Sequence, residues 1–256
     1  MGLADQLSLE LTSGGVELDV RSGAAPAGRA NLAWRAAAGF LARWAPGRGV
    51  RIVLDKEIPM GGGLGGGSSN AGTVLAGLQE MLNRPAAPRD LQAMAGELGA
   101  DVPYFLVGGT ALGRGRGDEL TVVEDLPERS ICLATPPVEI STAQIFAELD
   151  LSRLERSRAG IEKELEGRLA WDVVDRGWND LEQTVMRCYP VVRDVYNGLL
   201  EGGATLVRLS GTGATVFAFF RSPSEASAVA SRLPEGSRVV HTKTLQRSAI
   251  DRLHAV

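Results

Sequence analysis

Pro59-Met60-Gly61-Gly62-Gly63-Leu64-Gly65-Gly66-Gly67-Ser68-Ser69-Asn70-Ala71 is the stretch whose reading decides the fold. It follows Val50–Leu54 (VRIVL), which reads as a strand, and leads into Ala71–Leu82 (AGTVLAGLQEML), which reads as a helix. Six glycines surround one leucine and two serines follow at once. A glycine run between a strand and a helix lets the backbone approach an anion that side chains would hold off. It also presents N–H groups at the positive end of the helix dipole. The Ser68 and Ser69 hydroxyls suit phosphate oxygens, or a magnesium ion bridging them. A Walker loop would end in Gly-Lys-Ser/Thr, and no lysine stands here. A dinucleotide loop would be followed by a strand ending in an acidic residue, whereas a second helix comes instead. A ligand-free glycine turn is the remaining reading. So dense a run, placed directly before two serines and a helix, favours a phosphate-binding loop.

Working outward, Leu7, Leu9 and Leu11 alternate with polar residues, as do Val16, Leu18 and Val20 after Thr12–Gly15, which predicts an opening β-hairpin. Asn31 caps a helix over LAWRAAAGFLARW, with Leu32, Ala36, Phe40 and Leu41 on one face. Pro88–Leu98 reads as a helix stopped by Gly99 at C′. Thr110–Leu112, Glu119–Val123 and Ile131–Thr135 read as short strands. A helical region from Thr142 to about Tyr189 comes next, its charged stretch Arg153–Arg168 read as a solvated helix face. Then follow a helix Val191–Leu200, strands Thr205–Leu209 and Val216–Phe220, a helix Ser224–Leu233 and a strand Arg238–Thr242. That order, beginning from Ile131–Thr135, is the order of a ferredoxin-like α+β domain. The chain is therefore expected to divide near Glu128, into lobes 1–128 and 129–256.

Composition narrows the class. The 256 residues are 44% hydrophobic and 23% charged, the balance of a soluble globular protein with length enough for a packed core. A net charge of −4 offers no basic field for nucleic acid. Cys132 and Cys188 form no CxxC pair, which suits a reducing compartment and excludes a zinc site. No signal peptide and no apolar stretch approaching the ~18 residues of a membrane span is visible, so a cytoplasmic protein is expected. His241 and His254 stand in no nucleophile motif and read as structural or surface residues.

Taken together, Pro59–Ala71, Leu98-Gly-Ala-Asp-Val-Pro-Tyr-Phe105 and Leu209-Ser-Gly-Thr-Gly-Ala-Thr-Val-Phe217 resemble, in order and spacing, the three motifs of the galactokinase–homoserine kinase–mevalonate kinase–phosphomevalonate kinase superfamily. The doubled glycines are most similar to the 4-diphosphocytidyl-2-C-methyl-D-erythritol kinase family of the non-mevalonate isoprenoid pathway. Similarity runs from about Asp5 to near the C-terminus. The resemblance implies an α+β, two-lobed small-molecule kinase fold, with the glycine loop in the N-terminal lobe and a ferredoxin-like C-terminal lobe. It implies ATP as phosphoryl donor with Mg2+, and a cytidine diphosphate-linked alcohol as acceptor. Neither nucleic acid nor membrane enters as a partner, and oligomeric state stays open.

Residue by residue, the resemblance makes Asp101 the base that draws the proton from the acceptor hydroxyl. Read alone, Asp101 before Val102-Pro103 is a helix N-cap, and both roles are compatible. The Pro59–Asn70 loop would cradle the ATP phosphates, with Asn31 and Lys56 on the adenosine side. A cap and a solvated lysine stay equally open for those two. Thr142 and Phe146 match positions contacting cytidine, Phe146 by stacking, although a core-facing Phe146 is also open. Gly211-Thr212-Gly213 would lie beside the loop and close over phosphate or substrate, or form only a tight β-turn. Ser68 or Ser69 could reach Mg2+, since no acidic residue is clearly placed to do so.

The sequence also departs from the family, which carries an Ala-Lys-x-Asn-Leu strand and a Gly-Tyr-His segment ahead of the hairpin. No residue between Met1 and the hairpin can be assigned those roles. The expectation is a reduced rate, because that lysine neutralises charge at the transferring group, and an unpaired sheet edge. A catalytically impaired nucleotide-binding homologue, and a homoserine- or mevalonate-type kinase, are the alternative readings.

Overall fold

The structure, a computed structural model, describes residues 1–150 and 170–249. The chain forms two compact units. The first comprises Ala4–Met60, Gly65–Asp125 and a segment from Leu245, and the second Met1–Leu3, Gly61–Leu64 and Leu126–Thr244.

In the first unit, β1 (Gln6–Thr12), β2 (Gly15–Ser22) and β3 (Gly49–Asp55) form a sheet in the order β1-β3-β2. The predicted hairpin does not form. β3 lies between its two arms, antiparallel to β1 and parallel to β2. The reason is hydrophobicity: β3 buries Val50, Ile52 and Leu54 completely, whereas β1 and β2 alternate half-buried with exposed positions. A strand with that much apolar surface takes the centre. It enters at Gly49, where a Cβ would collide with Gly14 and Thr12.

Helix α1 (Leu32–Trp44) is capped by Asn31, whose Oδ1 accepts from Ala33 N at 2.9 Å, and it buries Ala33, Ala36, Ala37, Phe40 and Leu41. Helix α2 (Gly66–Met81) packs beside it through Ala71, Val74, Leu75 and Leu78. Each such fully buried large side chain contributes about 1.5–3 kcal/mol. Helices α3 (Pro88–Leu98) and α4 (Val102–Val107), and the hairpin of β4 (Ala111–Arg114) with β5 (Glu119–Val122), complete the unit. α3 ends at Leu98 and is stopped by Gly99 as expected, the glycine standing in extended backbone (φ 173°).

In the second unit, β6 (Ser130–Thr135), β7 (Leu206–Leu209), β8 (Val216–Phe219) and β9 (Arg238–Lys243) form an antiparallel sheet ordered β7-β8-β6-β9. Between β6 and β7 come α5 (Thr142–Ala147), α6 (Trp171–Asp175), α7 (Glu182–Cys188) and α8 (Pro190–Glu201). Between β8 and β9 lie α9 (Pro223–Ala228) and a 3-10 turn, Val229–Arg232, where one continuous helix was expected. This is the ferredoxin-like arrangement anticipated from the element order. Its core joins Val192, Val195 and Leu199 of α8 to Val207, Val216 and Ala218 of the sheet. The stretch Arg153–Arg168 and His254 fall outside the described residues.

Candidate functional site

The glycine-rich stretch is shared between the units, and its two halves are built differently. In the first unit, α2 begins at Gly66, so Gly66, Gly67, Ser68, Ser69 and Asn70 are helical rather than loop. These residues are weak helix formers, so tertiary packing rather than propensity sets this early start, and the first intrahelical bond runs from Ser69 N to Gly65 O at 2.8 Å. The N–H groups of Gly66, Gly67 and Ser68 therefore donate to no group among the described residues. Gly65 caps the helix with φ 67°, a left-handed conformation that glycine adopts without strain. Neither the Ser68 nor the Ser69 hydroxyl is engaged among the described residues, and Asn70 is buried at 3% exposure. Free amides and free hydroxyls at the positive end of a sixteen-residue helix are a ready-made anion cradle.

Lys56 is not solvated. Its side chain is 7% exposed, and its Nζ lies 2.8 Å from Asp5 Oδ2, itself 1% exposed. Nζ also donates to Ile58 O at 2.5 Å. Asp5 Oδ1 accepts from Glu57 N at 2.7 Å and Ile58 N at 2.8 Å, so one carboxylate fixes the bend that leads into Pro59 and Met60. A Cβ on Gly66 would stand 2.9 Å from both Lys56 Nζ and Ile58 Cγ2. The ammonium is therefore beside the start of α2. Asn31 is committed to its cap and donates from Nδ2 to Pro26 O at 2.9 Å.

Asp101 occupies the N-cap position of α4, but its backbone is α-like (φ −84°, ψ −16°) and its carboxylate makes no capping bond. The side chain is exposed and without a hydrogen-bond or ion-pair partner among the described residues, free for chemistry. One helical turn on, Phe105 packs against α2, where a Cβ on Gly72 would lie 2.7 Å from Phe105 Cβ and one on Gly65 3.0 Å from its ring. α4, with Asp101 at its head, is thus seated on the first turns of α2.

In the second unit, Gly61–Gly63 is stitched to the Ser210–Thr215 loop. Ala214 N donates to Gly61 O at 3.2 Å, Thr215 N to Gly62 O at 3.1 Å, and Ser210 Oγ to Gly63 O at 2.9 Å. Gly63 adopts φ 70°, and a Cβ there would collide with the Ser210 carbonyl. Ser210–Gly213 is the tight turn foreseen, closed by Gly213 N to Ser210 O at 2.8 Å, and it does lie beside the glycine stretch. Thr142 and Thr212 share a hydroxyl–hydroxyl bond of 3.0 Å. Phe146 does not face the core. It is 57% exposed, while its neighbour Ile145 is fully buried. Phe146, Trp178, Asn179, Leu209, Gly211 and Phe217 are among the residues lining a cavity of about 680 Å³, within the size range of small-molecule pockets.

Sequence reasoning missed three residues that shape these features. Asn179 donates from Nδ2 to Leu209 O at 3.0 Å and Gly211 O at 2.7 Å, holding the Gly211–Gly213 turn from below. Its Oδ1 bond to Leu181 N at 2.9 Å is a legible local Asx turn, but the long-range bonds are not. Asp5 and Arg247 had no local signal at all. Among the described residues no cluster of His, Cys, Asp or Glu could hold a metal, and no helix is long and apolar enough to cross a membrane.

Comparison with known proteins shows the family. Residues 31–109 match the model of the GHMP kinases N terminal domain, and residues 163–238 that of the GHMP kinases C terminal domain. The chain is similar to 4-diphosphocytidyl-2-C-methyl-D-erythritol kinase of Geobacter sulfurreducens, 39% identical over 88% of this chain and 80% of that protein. It is 37% identical to that of Moorella thermoacetica, over 96% of this chain and 88% of that protein. Among solved structures, a 4-(cytidine 5'-diphospho)-2C-methyl-D-erythritol kinase superposes with a TM-score of 0.74 at 34% identity, covering 94% of this chain and 86% of that one. A homoserine kinase from Cytophaga hutchinsonii reaches a TM-score of 0.73 at 22% identity, a likeness of fold alone. With its glycine-capped helix, its partner-free Asp101 and these relatives, the chain belongs to the 4-diphosphocytidyl-2-C-methyl-D-erythritol kinase family of the GHMP kinases.

Proposed function

We propose that this kinase transfers the γ-phosphoryl group of ATP to the 2-hydroxyl of 4-diphosphocytidyl-2-C-methyl-D-erythritol, a step of isoprenoid biosynthesis carried out in the cytoplasm. The observation that carries this reading is identity of 34–40% across most of the chain to relatives bearing that name. The glycine-capped start of α2 supports it, since free amides there suit the phosphates of ATP. The alternatives of a homoserine- or mevalonate-type kinase are not favoured, because the solved examples of those enzymes share only 12–22% identity and speak for fold alone.

In mechanism, the acceptor hydroxyl must lose a proton as its oxygen attacks phosphorus in line. Asp101 takes that proton on a carboxylate that no donor occupies among the described residues. The Gly66, Gly67 and Ser68 amides, with the positive end of α2, stabilise charge on the phosphate oxygens without reorganising. Lys56, held by Asp5, supports the loop from the adenosine side together with Asn31. Thr142 and Phe146 hold the cytidine, Phe146 by its exposed face, and Gly211-Thr212-Gly213 closes over substrate. In functional terms, residues 1–128 form the ATP-binding and catalytic lobe and 129–256 the substrate lobe. Mg2+ fits as a companion of the nucleotide, because magnesium takes most of its ligands from phosphate and water; the unengaged hydroxyls of Ser68 and Ser69 are the side chains that would meet it. When bound it supplies charge neutralisation on the phosphates.

The test is a substrate panel: ATP with 4-diphosphocytidyl-2-C-methyl-D-erythritol, homoserine or mevalonate, followed by product analysis. The cytidine compound is expected to be the one phosphorylated. ATP binding without product in any arm would support the impaired homologue instead.

A further inference from the structure

Asp101 makes no bond of its own among the described residues, so its placement is inherited from α4. That helix has six residues, too few to hold its geometry unaided. Its Phe105 face rests on α2, and Tyr104 Oη donates to Gly109 O at 2.9 Å. The end of the helix is held by an arginine 140 positions further along the chain. Arg247 Nε donates to Val107 O at 3.2 Å, and its Nη2 donates to Gly108 O and Thr110 O, each at 3.1 Å. Val107 O is one of the acceptors that a terminating helix leaves without an intrahelical partner, while Gly108 O and Thr110 O belong to the turn that follows it, and a guanidinium there complements the negative end of the dipole.

Arg247 is itself held. Asp125 Oδ2 accepts from its backbone N at 2.6 Å, Oδ1 accepts from Thr110 N at 2.7 Å, and Oδ1 stands 3.7 Å from Nη2. Gly109 leaves the space this needs, since a Cβ there would strike Asp125 Oδ1 and come within 2.8 Å of Arg247 Cβ. The fork geometry matters: three carbonyls at different angles are met by two nitrogens of one rigid plane, which a lysine ammonium cannot reproduce.

We propose that Arg247 is a positioning residue for phosphoryl transfer, setting the attitude of α4 and through it the carboxylate of Asp101. This rests on the role given to Asp101 above. Arg247 is engaged by Val107, Gly108, Thr110 and Asp125, so its loss should change the chemical step and spare ATP affinity.

The experiment compares Arg247→Ala, Arg247→Lys, Asp125→Asn and Asp101→Asn in the full chain, with folding checked by circular dichroism at the assay temperature. For Arg247→Ala, kcat is expected to fall on the order of 10–100-fold, the cost of a displacement near 1 Å at a reacting group. The ATP Kd from calorimetry should stay within about two-fold, because the amides at the start of α2 are untouched. Arg247→Lys should recover little of the rate, and added guanidinium ion should restore part of it to Arg247→Ala but none to Arg247→Lys. Asp125→Asn keeps an acceptor for Thr110 N and should lower kcat in the same direction by less, which secures the test if Arg247→Ala does not fold. If Asp101→Asn keeps its rate, the base assignment fails, whatever Arg247 does. If Asp101→Asn loses its rate while folded Arg247→Ala and Asp125→Asn keep theirs, or if ATP affinity falls in step with kcat, the positioning role is overturned.

Discussion

Replacing Gly72 by alanine sets two opposing effects against each other, and the structure decides between them. An alanine in the interior of α2 gains about 0.5–1 kcal/mol over glycine through helix propensity. Its Cβ, however, would lie 2.7 Å from Phe105 Cβ, 3.3 Å from Phe105 C and 3.5 Å from Phe105 Cα. Two of those atoms are backbone, so no rotamer change relieves the contact. Ordinary contact begins at 3.4 Å, so α4 must withdraw by about 0.7 Å from Gly72. Forcing a methyl into a packed seam costs typically about 1–3 kcal/mol. The net expectation is a loss of roughly 0–2.5 kcal/mol, read as a melting temperature lower by up to about 5–10 °C. The withdrawal carries Asp101 with it, so kcat should fall by about ten-fold or more, by the steep dependence of rate on reacting geometry. Gly96→Ala in α3 is the control, since its Cβ meets only Pro103 Cγ at 4.0 Å and should stabilise. Thermal denaturation and steady-state kinetics on both variants decide. A Gly72→Ala protein as stable and as active as Gly96→Ala would refute the seating of α4 on α2.

Three further outcomes follow from particular contacts. Gly63→Ala places a side chain against the Ser210 carbonyl in a left-handed backbone, so it should break the Gly61–Gly63 ties and weaken ATP binding in calorimetry. Burial, opposed by the Leu209 N–H and the charge of Arg208, pushes the Glu182 carboxyl above its ordinary value of 4.5. A raised carboxyl holds its proton longer when folded, so its contribution is complete below the unfolded pKa and is lost as pH rises through the folded one. Glu182→Gln, whose amide oxygen still accepts from Leu209 N, should therefore gain stability over the parent at neutral pH, with the gain vanishing in acid denaturation curves. The buried Cys132 thiol is pushed up to about 11 by desolvation, so iodoacetamide at about pH 8 should label Cys188 first and reach Cys132 only on unfolding, as mass spectrometry would show.

What the sequence made legible was local. The Asn31 cap and the apolar face of α1 are set by neighbours in the chain, as is the sequence of short strands and helices that produces the second sheet. The glycine stretch reads as a phosphate loop over Pro59–Asn70, whereas the loop ends at Gly65 and α2 begins at Gly66. Gly66–Asn70 folds as helix although its residues are weak helix formers, and the contact of Phe105, far along the chain, with α2 where glycines stand at positions 65 and 72 is not visible locally. The hairpin failed for a related reason: alternation in β1 and β2 shows which faces are buried but not that β3 will part them. A solvated Lys56 stayed open in the sequence because its partner, Asp5, is far away along the chain. Arg247 was invisible for the same cause, since its bonds span 137–140 positions.

Product analysis of one reaction tests the central claim most directly: the full chain, ATP with Mg2+, and 4-diphosphocytidyl-2-C-methyl-D-erythritol, with Asp101→Asn alongside. The account predicts one phosphorylated alcohol formed per ADP released by the parent chain, and a rate lower by orders of magnitude in Asp101→Asn with ATP binding intact. Bound ATP with no phosphorylated alcohol from the parent chain, or equal rates from the two proteins, would contradict it.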